Sequence, residues 1–155
     1  MNTIIVQTKD GYMAEQDEDN LNWSSGLDKK IFKICSILSE INICSEKTYS
    51  LLPQKMKEDK NRKFIIVKKT GNNTLNILNK KYPRGLLISG PHLLNIAKNM
   101  GILNLIIINT LDYESVNKNK RFKTPFNKHE IIHIAEMQLS KNLVTNIYKM
   151  KDGKK

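Results

Sequence analysis

The chain has 155 residues, which is enough for one domain with a sizeable core. Its mean hydropathy of −0.46 is typical of a soluble globular protein, and its longest apolar run, 103–108, is too short to span a bilayer. Two cysteines and an amino terminus without secretory features suit a reducing compartment. We therefore expect a cytoplasmic protein without membrane contact.

The net charge of +11 comes mostly from lysine, and arginine occurs only at Arg62, Arg84 and Arg121. Proteins that read nucleic acids usually rely on arginine for bidentate contacts with phosphates and bases. Here the lysines are scattered and no aromatic platform interrupts them. The scattered lysine charge therefore argues against a nucleic-acid partner. A basic surface would also suit a small polyanionic ligand.

Apolar segments alternate with helical patterns in the first half of the chain. A short buried strand is predicted at 4–6, closed by the turn pair Asp10-Gly11. Ser24 or Ser25 can cap a helix that runs to about Ser39. The elements predicted next are a strand at 41–44, a short helix at 46–52, a charged loop at 54–63 and a strand at 64–68.

The second half continues the alternation and ends in two neighbouring strands. A turn is predicted at 71–73 and the segment 75–81 is ambiguous; then follow a strand at 86–89, a helix from Gly90-Pro91 to about Met100, a strand at 103–110 and an antiparallel pair at 131–139 and 143–150. The sequence thus predicts a single α/β domain over 1–150. It has a mostly parallel central sheet, flanking helices and a C-terminal antiparallel hairpin, followed by a basic tail, 151–155.

Trp23, Asp28 and Phe32 form a W-x4-D-x3-F pattern at the start of the first predicted helix. A carboxylate beside an aromatic face can accept two hydrogen bonds from an amino-pyrimidine while the aromatic ring packs on the heterocycle. Partial burial would raise the pKa of Asp28 and favour protonation of the substrate. The alternative is that Asp28 is a helix-terminal charge and the two aromatic residues belong to the core.

This trio resembles the substrate-binding stretch of the dihydrofolate reductases, and further segments keep that family's order. Residues 45–53 are similar to its G-R-K-T-Y segment, residues 62–67 to its arginine-containing strand, and residues 88–91 to its Gly-Gly turn. The resemblance extends from Ile4 to Met150. It implies a dihydrofolate-reductase-like fold, a monomer or homodimer, and NADPH-dependent reduction of 7,8-dihydrofolate to tetrahydrofolate.

The resemblance implies that Asp28 anchors the pterin and promotes its protonation. It also implies that Trp23 is a catalytic residue next to Asp28. Val6 and Phe32 wall the ring, and Arg62 takes the glutamyl carboxylate. The residues implied to hold the cofactor are Lys47, Thr48, Lys68, Lys69, Ser89, Gly90 and Pro91.

Two alternatives share the fold. Residues 8–14 and 89–93 resemble segments of the riboflavin-pathway pyrimidine reductases, which reduce a ribosylated pyrimidine. In addition, Ser45, Glu46 and Ser89 depart from the dihydrofolate reductase motifs on the cofactor side. These departures are compatible with a domain that has lost catalysis and acts as a structural or binding subunit.

His129 and His133 belong to an H-E-x-x-H sequence, which on a helix can bind zinc. The isoleucines inside and after it favour a strand instead, and no third ligand is evident. We therefore predict no metal site. Cys35 is predicted to be a packed thiol because no histidine is assigned near it.

Overall fold

Short runs of branched apolar residues form the strands of one central sheet. A computed structural model describes residues 1–16, 19, 21–68, 72–116 and 118–151. The strands are β1 (Asn2–Thr8), β2 (Asn42–Ser45), β3 (Phe64–Val67), β4 (Leu86–Ile88), β5 (Leu105–Leu111), β6 (Ile131–Ser140) and β7 (Leu143–Met150). The helices are α1 (Gly26–Leu38), α2 (Glu46–Leu51), α3 (Gln54–Lys57), α4 (Asn72–Lys81) and α5 (Pro91–Asn99).

The seven strands form one sheet in the order β3-β2-β4-β1-β5-β7-β6. The five strands from β3 to β5 are parallel, and β7 pairs antiparallel with both β5 and β6. This is the predicted α/β architecture with a mostly parallel sheet and a C-terminal hairpin.

Alternate residues of the parallel strands contribute to two apolar layers, one on each face of the sheet. On one face, Ile5, Leu87 and Ile106 pack with residues of α4 and α5. On the other face, Ile4 and Ile88 pack with residues of α1, α2 and α3. Burial of both faces explains why these strands are continuous apolar runs in the sequence.

The structure confirms the predicted cap of α1 and corrects one predicted loop and one predicted turn. The Ser25 side chain accepts a hydrogen bond from the Asp28 amide at 3.0 Å, which starts α1 as expected. The predicted loop at 54–63 begins with the short helix α3, and the ambiguous segment 75–81 lies in α4. Helix α4 starts at Asn72, inside the predicted turn at 71–73. Short helices with few apolar residues give little periodicity, so tertiary contacts decide them.

Within the described ranges, none of the helices is long and apolar enough to cross a membrane. Most of the basic tail, 152–155, lies outside the described residues.

Candidate active site

The carboxyl ends of β1 and β4 open into a cleft of about 1370 Å³. These two strands are neighbours, but β1 leads to α1 on one face of the sheet and β4 leads to α5 on the other. In open α/β sheets, connections that diverge in this way leave a crevice in which ligands bind. Residues 13–14 and 121–123 border the same cleft.

Asp28 lies in the first turn of α1 and lines the cleft, although its side chain is largely buried. The Asn109 Nδ2 group donates a hydrogen bond to Asp28 Oδ1 at 2.7 Å. The Thr145 hydroxyl in turn donates to Asn109 Oδ1, also at 2.7 Å. Because the Asn109 oxygen is held by Thr145, its amide nitrogen faces the carboxylate. The three buried side chains form a continuous hydrogen-bonded chain from β7 through β5 to α1.

Burial raises the pKa of the Asp28 carboxyl above its ordinary value. Hydrogen bonding with Asn109 and Ser24 and the charge of Lys29 act in the opposite direction and offset part of this rise. Asp28 therefore retains its proton to a higher pH than an exposed aspartate does. A carboxyl with a raised pKa in a cleft has the properties of a general acid or of an anchor for a basic heterocycle.

Apolar side chains wall the cleft around Asp28. Val6 at the end of β1 is 8% exposed, and Phe32 lies one turn after Asp28 on α1. Leu52 and Met56 pack with Phe32 in the same apolar cluster and also line the cleft. The structure thus brings together Val6, Asp28 and Phe32, and it forms an apolar slot with one carboxyl in it.

Arg62 precedes β3 and also lines the cleft. Its side chain is only 5% exposed, and its Nε atom lies 3.4 Å from Asp59 Oδ2. Among the described residues, this buried Nε atom has no partner that meets hydrogen-bond geometry. A buried guanidinium that faces a cleft can bind the carboxylate of a ligand through two parallel hydrogen bonds.

Trp23 is not among the residues that line the cleft. Its ring stacks on Tyr113 at a centroid distance of 5.9 Å, and its Nε1 group donates to Asp19 Oδ2 at 3.0 Å. Tyr113 donates to Glu15 Oε1 at 2.8 Å. In this structure Trp23 therefore holds the loop between β1 and α1, and it lies apart from the cleft side of Asp28.

Polar residues line the cleft at the ends of β2, β3 and β4. The Ser45 hydroxyl caps α2, accepting a hydrogen bond from the Thr48 amide at 3.1 Å. Six of the residues implied to hold a cofactor line the cleft, namely Lys47, Thr48, Lys68, Ser89, Gly90 and Pro91. Lys69 lies outside the described residues.

The start of α5 has the properties of an anion-binding site. Gly90 is the N-cap residue and offers no side-chain cap, and Pro91 follows at the first helical position. A Cβ atom added at Gly90 would meet nothing within 4 Å. The Ser89 hydroxyl is buried without a hydrogen-bond partner among the described residues. An uncapped helix start, an unused hydroxyl and the nearby lysines fit the phosphate groups of a dinucleotide.

Sequence reasoning missed the partners that position Asp28. Asn109 was part of a predicted strand, and the signal that could have identified it is a polar residue inside the apolar segment Leu105–Leu111. Thr145 carries no such signal because threonine is common in strands. Arg121 and Lys123 are exposed and also border the cleft.

His129 lies in a turn and His133 in β6, where its Nε2 atom is 2.9 Å from Asn146 Oδ1. The described part of the chain contains no group of three histidine, cysteine or acidic side chains placed to hold a metal ion. Burial raises the pKa of the Cys35 thiol, and it raises that of Cys44 to about 11. Both thiols lie in the apolar layer between α1 and the sheet, Cys35 on the helix and Cys44 on β2.

Strand order, hairpin and cleft position together define a dihydrofolate-reductase-like α/β fold. Among solved structures, the chain is similar to the dihydrofolate reductase of Schistosoma mansoni, with a TM-score of 0.69. The match covers 97% of this chain and 97% of that chain, at 13% sequence identity. No protein-family model matches the sequence, and no curated protein sequence does. A likeness at this identity shows the fold, so activity has to be argued from the residues of the cleft.

Proposed function

We propose that the chain is a reductase that uses NADPH to reduce 7,8-dihydrofolate to tetrahydrofolate. The observation that carries this proposal is the buried Asp28 carboxyl, held by Asn109 in an apolar slot at the divergence point of the sheet. A single anchored carboxyl between apolar walls selects a flat heterocycle that offers an amino group and a ring N–H side by side.

Asp28 binds and orients the heterocycle in this proposal. Asn109 and Ser24 occupy part of the acceptor capacity of the Asp28 carboxylate, and the positions that they leave open would accept the two N–H groups of the substrate. Val6 and Phe32 pack on the ring and exclude water from it. Fixed walls and one fixed anchor limit the ring to one orientation.

Asp28 also controls the proton that the reaction consumes. Its raised pKa, caused by burial, makes it a better proton source near neutral pH than an exposed aspartate. The substrate nitrogen that takes the proton becomes positively charged, and the carboxylate left behind stabilises that charge. Arg62 would bind a carboxylate on the tail of the substrate, which suits its buried guanidinium.

The cofactor would lie along the polar side of the cleft. Ser89, Gly90 and the start of α5 would hold its phosphate groups, with Lys47 and Lys68 supplying positive charge. When bound there, NADPH supplies the hydride. The chain contributes position and a surface that keeps water away.

The proposal is tested by mixing the purified chain with NADPH and dihydrofolate and following the loss of cofactor absorbance. We expect turnover, and we expect Asp28→Asn to lower kcat/KM by about 10²–10⁴-fold, the range of general acid–base catalysis. Asp112→Asn is the matched control because its carboxylate is 63% exposed and lies outside the cleft. It should retain the full rate.

Absence of turnover together with absence of NADPH binding in calorimetry would overturn the reductase proposal and leave a domain retained for another purpose. A parallel assay uses a ribosylated amino-pyrimidine as substrate. Turnover of that compound alone would assign the cleft to the riboflavin-pathway type of reaction, with the same fold and the same Asp28 dependence.

A further inference from the structure

The strand order determines the direction in which a dinucleotide would lie in the cleft. Asp28 is bonded to Asn109 of β5, whereas Gly90 directly follows β4, and β1 lies between β5 and β4 in the sheet. In the proposed reaction, the nicotinamide end of the cofactor has to meet the heterocycle at Asp28, and the phosphate groups lie at Gly90. The adenosine end would therefore extend past β4 in the opposite direction, toward the end of β2.

The first residue after β2 is acidic. Strands β2 and β4 are parallel neighbours, with Cys44 opposite Ile88. Two residues further along both strands, Glu46 comes level with Gly90. Neighbouring strands are about 4.8 Å apart, so Glu46 stands one strand away from the position proposed for the phosphate groups. A ribose attached to those phosphate groups would lie next to Glu46.

The Glu46 carboxylate is available to a ligand. Glu46 is exposed and lines the cleft. Within the described residues, its carboxylate has no hydrogen bond or ion pair. Helix α2 does not depend on this carboxylate for its start, because Ser45 supplies the cap by accepting from the Thr48 amide. An ionised carboxylate has acceptor positions only, so it can bind hydroxyl groups of a ligand.

A carboxylate at this position distinguishes between the two nicotinamide cofactors. NADH and NADPH differ at the adenosine ribose, which carries a 2′-hydroxyl in the first and a 2′-phosphate in the second. Glu46 can accept a hydrogen bond from the hydroxyl, but it repels a phosphate group that carries nearly two negative charges at neutral pH. In other α/β dinucleotide sites, an acidic side chain holds the 2′-hydroxyl and an arginine accommodates the 2′-phosphate.

Two lysines at the same end of the cleft oppose this repulsion. Lys47 follows Glu46 in the chain, and Lys68 follows β3, which pairs with β2 so that Val67 lies opposite Ser45. Lys68 is therefore level with Glu46 on the other side of β2, and both lysines line the cleft. They attract the pyrophosphate that both cofactors share. They also attract the 2′-phosphate, so Glu46 offsets the advantage of NADPH without excluding it.

We infer that Glu46 sets the cofactor preference of the cleft and that the chain accepts NADH about as readily as NADPH. The inference rests on the proposed function, which places the phosphate groups of the cofactor at Gly90. It extends that function to a second hydride donor. Glu46 acts as a specificity-determining residue because its charge bears on the one group by which the two cofactors differ.

The inference is tested by calorimetry of the full chain with NADPH and with NADH, in the absence of dihydrofolate. We expect dissociation constants within about tenfold of each other. Glu46→Gln keeps the size of the side chain and removes its charge, so it should tighten NADPH binding by about tenfold and leave NADH binding equal or slightly weaker. Glu46→Arg should favour NADPH further, because a guanidinium pairs with phosphate.

The matched control is Glu40→Gln. Glu40 is also an exposed acidic residue, but it lies outside the cleft, so its substitution makes the same change in net charge at another place. It should leave the ratio of the two dissociation constants unchanged.

The outcomes separate this inference from the reductase proposal. If both cofactors bind and the Glu46 variants keep the original ratio, the role of Glu46 is overturned and the reductase proposal stands. A preference of the original chain for NADPH above about tenfold would overturn the inference in the same way. A chain that binds neither cofactor overturns both proposals. A ratio that shifts as expected, without turnover of dihydrofolate, supports the role of Glu46 and overturns the proposed substrate.

Discussion

The two ends of the cleft are built in different ways. At one end, Asp28, Asn109 and Thr145 are buried and bonded to one another at 2.7 Å. At the other end, the Ser89 hydroxyl is buried without a partner among the described residues, and Gly90 faces open space. At one end the described side chains satisfy one another's hydrogen bonds, and at the other end they leave the buried Ser89 hydroxyl without a partner.

Because of this difference, we expect substitutions at the first end to change the stability of the fold and substitutions at the second end to change ligand binding. Side chains in a satisfied buried network stabilise the fold and position one another, so a change in one affects both stability and chemistry. Unpaired donors lower stability until a ligand occupies them, so their removal should affect binding alone or even stabilise the free chain. Three substitutions test this contrast, beginning with the one of largest expected effect.

Asn109→Leu should have the largest effect, because it breaks the hydrogen-bonded chain of Asp28, Asn109 and Thr145. It removes the donor to Asp28 and the acceptor of Thr145, leaving two buried polar groups without their partner. We expect a loss of about 1–3 kcal/mol in the free energy of unfolding. We also expect a lower kcat/KM and a further rise in the pKa of Asp28, because the hydrogen bond that lowers it is gone. Urea unfolding and the pH profile of kcat/KM measure the two effects.

Asn42→Leu provides the comparison for Asn109→Leu. Asn42 is also fully buried, and its Nδ2 group donates to the Ser36 carbonyl at 2.9 Å, away from the cleft. Asn42→Leu should lower the free energy of unfolding and leave the pH profile of kcat/KM unchanged. If both variants moved the profile equally, or neither did, Asn109 would have no role in positioning Asp28.

Asp28→Asn should change the pH dependence of stability. The folded-state pKa of Asp28 is raised, so between its ordinary value of about 3.9 and that raised value the folded chain binds more protons than the unfolded chain. The contribution of Asp28 to stability therefore falls as the pH rises through this window, and Asp28→Asn lacks this contribution. Relative to the original chain, the variant should gain stability as the pH rises above about 4, as measured by thermal unfolding. A relative gain in the opposite direction would contradict the raised pKa.

Ser89→Ala should have the smallest effect on the free chain. The substitution removes a buried hydroxyl without a partner, so the free energy of unfolding should stay equal or rise by up to about 1 kcal/mol. The dissociation constant for NADPH should increase several-fold. In Ser36→Ala, by contrast, a buried hydroxyl that donates to the Lys33 carbonyl is lost, and stability should fall. A loss of stability in Ser89→Ala would show that its hydroxyl is satisfied in the free chain.

Most of the fold could be predicted from the sequence because its signals are local. The Ser25 cap fixes the start of α1, and the buried runs that form β1 and β5 are visible as apolar segments. The weaker elements α3 and α4 were missed or left ambiguous, since four and ten residues rich in lysine and asparagine give no clear apolar stripe.

The site was predicted in part. The i, i+4 spacing of Asp28 and Phe32 places both on one side of α1, and both line the cleft. Trp23 is five residues from Asp28, one more than Phe32, but its ring stacks on Tyr113, which is 90 residues later in the chain. Sequence proximity therefore did not decide which aromatic residue lines the cleft.

The sequence by itself determined the α/β class, the succession of strands and helices along the chain and the carboxyl at the start of α1, because each depends on neighbours a few residues apart. Only the tertiary structure decided that Asn109 and Thr145 hold Asp28, through contacts that span 81 and 36 residues. It also decided that Glu46 comes level with Gly90 at the carboxyl ends of two paired strands. Strand register and helix placement fix these relations, and both are set by packing of the whole chain.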